Sequence, residues 1–319
     1  CYPIGHGAES RHALFRSPRG AARLVPFPQC ETDMSGKSHL YYQSNQQRPM
    51  LDRAEGIYIW DVHGKRYIDG SSGAMVSNIG HSNPNVLAAM RRQMEKATFG
   101  YRLHFETEPG ERLAAKVAGL CPAGMEKVFF VSGGSEAVEA AIKLARQYAV
   151  TSGQGARWKV ISRAPSYHGA TLGALALTSY TPLTAPFAPM MQPMPKVPAP
   201  RAYLDGLDPD DPATGAHYAA MLEAKILAEG PETVLAFIHE PVGGASTGAL
   251  VPPAGYMAMV REICDRHGVL LIHDEVMSGG GRTGLFLGAD HWGVAPDIIA
   301  MSKGFGAGYA PLGAMIAHD

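Results

Sequence analysis

The chain has 319 residues, 46% of them hydrophobic and 18% charged, with a formal net charge of −1. That length suits one large α/β domain or two smaller ones, and the near-neutral charge leaves no basic footprint for nucleic acid. No apolar run is long enough to span a bilayer, and Cys1, Cys30, Cys121 and Cys264 lack CxxC or metal-ligand spacing, which argues against a disulfide framework and for the cytoplasm.

The first residue is Cys, not Met. Residues 1–33 carry Arg11, Arg16, Arg19 and Arg23, with few acids before Glu31 and Asp33. That composition is shared with organelle-targeting segments. Lacking an amphipathic period, the stretch reads instead as an extension ahead of Met34, outside the fold. The expected organisation is this extension, then residues 34–80 as the N-terminal segment of a small domain, then residues 81–319 as the ligand-binding large domain.

Gly56–Trp60 and Lys65–Asp69 are β-rich runs joined through Asp61-Val62-His63-Gly64, a hairpin signal. Pro84 to Ala97 is expected to be a helix with Val86, Leu87, Met90 and Met94 on one face, and Glu108 to Leu120 a second. From Lys127 onward strands and helices alternate: strand 128–131, helix 135–150, strand 158–162, helix 216–229, strand 234–238. Helix 256–267 follows, closed by Gly268 as a left-handed cap. Strands at 269–272 and 297–301 complete the pattern. These strands are apolar throughout, so both sheet faces should carry helices, giving a mostly parallel α/β sheet. The seven prolines between Pro182 and Pro200 predict a long ordered excursion within that pattern.

Three elements carry chemistry. Ser132-Gly133-Gly134-Ser135 follows a strand and opens a helix, where bare backbone and helix N–H groups suit a phosphate. Alone it is equally a plain tight turn. Asp274 follows Val269-Leu270-Leu271-Ile272 and so emerges at a strand's carboxyl end, where open α/β sheets bind ligands. Lys303 follows Asp297-Ile298-Ile299-Ala300-Met301 and precedes Gly304-Phe305-Gly306-Ala307-Gly308, an odd place for a merely solvated lysine. A phosphate cradle, a strand-end acid and a strand-end lysine are together what pyridoxal phosphate (PLP) needs: the lysine condenses with its aldehyde and the acid keeps its ring nitrogen protonated. Tyr167, after a strand, can stack on the ring, with His168 beside it; Glu240 ends another strand and can hold the phenolic side of the cofactor or gate substrate. The runs Gly279–Gly284 and Gly304–Gly308 lack the strand–helix context of a dinucleotide site. Tyr41, Tyr42, Trp60 and Tyr101 are candidate pocket aromatics.

The set Gly64–Asp69, Gly80–Pro84, Ser132–Ala137, Tyr167–Gly169, Glu240–Val242, Asp274–Val276 with Gly281–Gly284, and Ser302–Gly304 resembles the class III (omega-type) aminotransferases of PLP fold type I, in the family's order over about residues 50–317. The resemblance implies that Gly134 and Ser135 bind phosphate and Tyr167 stacks on the ring. It implies that Asp274 pairs with the ring nitrogen, Val276 packs on the opposite ring face, and Lys303 carries the cofactor. It also implies a homodimer and a ping-pong reaction, with an amine or ω-amino acid donor and a keto acid or aldehyde acceptor. Family members continue past Asp319, so the chain is expected to be a fragment whose activity is in question. Other PLP chemistry on the same scaffold (aminomutase, decarboxylase, racemase), or a non-catalytic chain, are the alternatives.

Overall fold

The computed structural model describes residues 39–41 and 48–319. The expected extension 1–33, with Cys1 and Cys30, and Tyr42 lie outside the described residues. Residues 1–49 form one unit and residues 50–319 another. The described part of the first is exposed and carries no helix or strand; the rest of this section concerns the second.

Three short strands come first, β1 (Leu51–Glu55), β2 (Tyr58–Asp61) and β3 (Arg66–Ile68), in one antiparallel sheet. The β2–β3 hairpin is as expected. Asp61 closes its turn, with Oδ1 accepting from the N–H groups of His63 and Lys65 and Oδ2 from the Tyr67 hydroxyl. A kinked helical turn, α1 (Ser72–Met75), leads to α2 (Pro84–Lys96) and α3 (Glu108–Ala118). Asn83 caps α2 by accepting from the N–H groups of Asn85 and Val86. Met94, expected on the covered face of α2, is 56% exposed.

The main sheet then begins: β4 (Lys127–Val131), α4 (Gly134–Thr151), β5 (Lys159–Ala164), α5 (Leu172–Leu177), α6 (Thr181–Thr184), β6 (Lys196–Pro198), α7 (Pro212–Glu229), β7 (Val234–His239), α8 (Tyr256–His267), β8 (Leu270–Asp274), β9 (Ile298–Met301) and β10 (Gly313–Ala317). Its order is β4-β10-β9-β8-β7-β5-β6. All pairings are parallel except those of β10, which runs antiparallel to β9 and β4. The antiparallel direction lets β10 follow β9 through a short connection, and Lys303 sits in that connection.

The sheet is covered on both faces. Ala137, Val138, Ala141, Ala145 and Ala149 form the buried stripe of α4, and their small side chains let it lie close on Ile238, Ile272, Ala300 and Met315. On the other face α7 and α8 cover Ile161, Phe237 and Leu271, and α3 contributes Val117 to a cluster with Ile299 and Ile316. Gly215 of α7 is one required glycine: a Cβ there would fall 2.0 Å from the Ala254 carbonyl oxygen.

Three strands were not legible in the sequence: β1, which pairs with β2 ahead of the expected hairpin, β6 and β10. β10 reads as Gly-Ala-Met-Ile-Ala with little β-branching, and β6 hides in the proline-rich excursion as an edge strand beside β5. Edge strands tolerate proline because one side of the ladder is unpaired. The helix expected over 216–229 begins four residues earlier, because Asp211 caps it by accepting from the Ala213 N–H and Pro212 occupies its first turn.

Candidate active site

The carboxyl ends of β4, β5, β7, β8 and β9 converge on one cavity of about 470 Å³. Each delivers a residue singled out in the sequence. β4 leads to Gly134 and Ser135, β5 to Tyr167 and His168, and β7 to Glu240. β8 ends on Asp274 with Val276 just beyond, and β9 leads to Lys303; all eight line the cavity. Gly133 is the N-cap of α4 and lies just outside the wall.

At the helix end, the first-turn N–H groups of α4 have no intrahelical acceptor. Ser135 Oγ accepts from the Ala170 N–H at 3.0 Å, leaving its own hydrogen to donate. The space here depends on missing side chains. A Cβ on Gly134 would come 2.9 Å from Val276 Cγ1, and one on Gly169, at φ +143°, would come 2.7 Å from Ser135 Oγ.

Asp274 is buried and doubly held. Its Oδ2 lies 2.7 Å from Nδ1 of the fully buried His168, and its Oδ1 accepts from the Val276 N–H at 3.1 Å. An ionised Asp274 places the ring proton of a neutral His168 on Nδ1. Glu240 is also buried; Oε1 accepts from the Gly244 N–H at 2.9 Å, while Oε2 has no partner among the described residues. Behind it, the buried guanidinium of Arg163 donates to the Glu240 carbonyl at 2.5 Å. Nothing in the sequence marked Arg163, because its role arises from the pairing of β5 with β7.

Lys303 adopts φ +49°, unusual for a side-chain-bearing residue and a mark of local strain. Its Nζ lies 3.7 Å from Met277 Sδ. Burial pushes its pKa below the ordinary lysine value, and Asp274 and Glu240 pull back upward without cancelling the effect. The amine is therefore more readily neutral than a surface lysine.

Tyr180, Leu183, Ser246 and Met277 are among the further residues that line the cavity without having been foreseen. Of the aromatics expected there, Trp60 and Tyr101 are not in its wall. Trp60 instead stacks under the Arg53 guanidinium at 3.7 Å, and Tyr101 meets His104 edge-on. Tyr41 is 94% exposed. Among the described residues no His, Cys, Asp and Glu cluster is arranged to hold a metal ion.

The residues present fit PLP by their own chemistry. A desolvated lysine amine can meet an aldehyde, a buried acceptor can meet a ring N–H, and a helix N-terminus beside bare glycine backbone can meet a phosphate. The unpartnered Glu240 Oε2 is a buried acceptor on the same wall.

Comparison with known proteins agrees. Solved structures that resemble this chain include PLP fold type I transaminases. One, a thermostable (S)-enantioselective omega-transaminase from Thermomicrobium roseum, matches with TM-score 0.83 and 38% identity over 88% of this chain and 64% of its own. A second, the omega transaminase from Pseudomonas jessenii in complex with PMP, matches with TM-score 0.84 and 34% identity over 91% and 65%. The aminotransferase class-III family model matches residues 41–319, and the chain belongs to that family. Class III aminotransferases use PLP. The uncharacterized aminotransferase YodT of Bacillus subtilis is 41% identical over 272 residues, 85% of this chain and 61% of YodT. The chain thus spans about three fifths of the length of such relatives.

Proposed function

We propose that the protein is a PLP-dependent aminotransferase, moving an amino group from an amine or ω-amino acid donor to a keto acid or aldehyde acceptor in ping-pong fashion. The observation that carries this is the placement of Lys303 and Asp274 on one cavity, the lysine desolvated and the acid fixed by His168. When bound, the cofactor supplies an electron sink for the carbon that gives or takes the amino group. Lys303 holds the cofactor and, once released by substrate, takes up and returns the proton at that carbon; burial, by lowering its pKa, makes the neutral amine this needs more accessible than on a surface lysine. Asp274 keeps the ring nitrogen protonated, and His168 orients Asp274. Gly133, Gly134 and Ser135 receive the phosphate, Tyr167 and Val276 take opposite faces of the ring, and Glu240 faces its phenolic side.

We also assign residues 34–80 to the N-terminal part of a small domain and 81–319 to the large domain. The separate three-stranded sheet of β1–β3 supports this division. A homodimer is supported by Phe99, Leu103 and Phe105, which are 81%, 72% and 71% exposed within one segment. The free thiols of Cys121 and Cys264 support a cytoplasmic location, and no helix among the described residues is long and apolar enough to cross a membrane.

The test is a visible absorbance spectrum of the purified protein with added PLP, before and after borohydride. A band that borohydride abolishes, and that Lys303→Ala lacks, is expected. An unchanged band in folded Lys303→Ala would overturn the assignment.

A further inference from the structure

Tyr180 and Leu183 are large side chains left 41% and 45% exposed, yet both face the cavity. They lie where the proline-rich excursion leaves α5. The root of that segment is tied down by polar contacts for which the chemistry above has no use. Ser166 and Ser179 exchange backbone hydrogen bonds at 3.2 and 3.0 Å, which ties the chain just before Tyr180 to the chain just before Tyr167, and both tyrosines line the cavity. Ser162 Oγ donates to the Leu177 carbonyl at 2.7 Å. Lys196, from the edge strand β6, donates through Nζ to the Ala176 carbonyl and to Ser162 Oγ, both at 2.7 Å.

Lys196 forms no ion pair among the described residues, and burial pushes its pKa down to about 7. Stripping a strongly hydrated ammonium of its water is costly. What the contact secures is a fixed carbonyl in the last turn of α5, immediately before the cavity wall. Ala74 and Met277 line the same cavity, the latter against the Lys303 amine. Tyr180 and Leu183 from the excursion therefore share one cavity lining with the Lys303 amine and the Met277 thioether beside it.

We propose that Tyr180 and Leu183 form the wall that sizes the substituent of the amine substrate, and that Lys196 is the positioning residue that holds this wall in place. The inference rests on the amino-transfer reading and deepens it. The substituent it implies is uncharged and apolar, with Leu183 setting its bulk. Rigid support is what makes such a wall selective, since a loose one would yield to any shape.

The experiment uses the purified protein loaded with PLP and two amines, isopropylamine and 1-phenylethylamine. The rate of the amine-driven change in visible absorbance is measured without any acceptor, beside PLP affinity from an absorbance titration. Leu183→Ala is expected to raise the ratio of bulky to small amine reactivity about tenfold, the scale of a few methylenes in an apolar pocket, with PLP affinity unchanged. Lys196→Met should shift the ratio in the same direction, and Lys196→Gln, which keeps a donor, should restore part of it. If Lys196→Met does not fold, Lys196→Gln and Leu183→Ala carry the test. A ratio that stays fixed in Leu183→Ala, or both amines slowed alike, overturns the wall. A fixed ratio in a folded Lys196 variant overturns the positioning role. Bound PLP that responds to neither amine, in any variant, overturns the amino-transfer reading and this inference with it.

Discussion

At Lys303 two electrostatic effects compete. Burial and, less strongly, the Arg282 charge disfavour the ammonium, while Asp274 and Glu240 favour it, and the disfavouring side wins. The balance depends on where those carboxylates stand, so the residues holding them matter as much as the lysine. His168 is the clearest case: its backbone N–H donates to Thr178 Oγ1 at 2.9 Å and its Nδ1 meets Asp274 Oδ2, so the ring ties β5's exit to β8's end. His168→Phe keeps the bulk and removes the hydrogen bond. Losing a buried charge-assisted bond costs about 1–3 kcal/mol, so the Kd for PLP should rise about tenfold or more, with little change in the fold. An absorbance titration with far-UV circular dichroism alongside checks this, and an unchanged Kd would assign His168 a packing role only.

At the level of elements, the connection after β8 is shaped by Glu275. This fully buried carboxylate accepts from Ser278 Oγ at 2.5 Å, from the Gly288 N–H at 2.9 Å and from the Ala289 N–H at 2.8 Å. Three donors on one side chain tie the two ends of the connection that contains the glycine-rich run Gly279–Gly284. Burial raises the Glu275 pKa despite these bonds, so desolvation outweighs them in its ionisation. Glu275→Gln offers one acceptor oxygen where two are used and turns an NH₂ toward backbone donors. Destabilisation of about 1–3 kcal/mol is expected, seen as a lower urea midpoint. Because Met277 rides on this loop, loosening it should also disturb the cavity wall beside the Lys303 amine.

For the whole molecule, the site exists only where five strand ends meet, so the cofactor binds the native state and not the unfolded chain. Free PLP at a hundred times its Kd should therefore add about 2.7 kcal/mol of stability, a thermal midpoint several degrees higher. Lys303→Ala should lose most of that gain. Differential scanning calorimetry at two PLP concentrations distinguishes this from a cofactor that is merely adsorbed, for which the midpoint would not move. The helices on both sheet faces isolate the cavity at one edge, and the near-neutral net charge leaves recognition to that cavity rather than to a long-range field.

The sequence by itself determined the class of the fold and which residues stand at the sheet's ligand-binding edge. Apolar strands without alternation can only be doubly covered, and a lysine or carboxylate at the end of such a strand must emerge at the ligand-binding edge. That logic recovered β4, β5, β7, β8 and β9 and placed Gly134, Ser135, Tyr167, His168, Glu240, Asp274, Val276 and Lys303 on one cavity. Tertiary structure alone decided the rest. β6 and β10 are strands because neighbouring strands offer them partners, not because their residues favour extension. Arg163 and Lys196 reach the site's frame only through strand pairing, and Tyr180 and Leu183 join the wall because the serine bridge folds the excursion back. Trp60 and Tyr101 went elsewhere, against Arg53 and His104, contacts that no local hydrophobic pattern encodes. Local periodicity reports what a strand end delivers; only long-range pairing decides which side chains meet there.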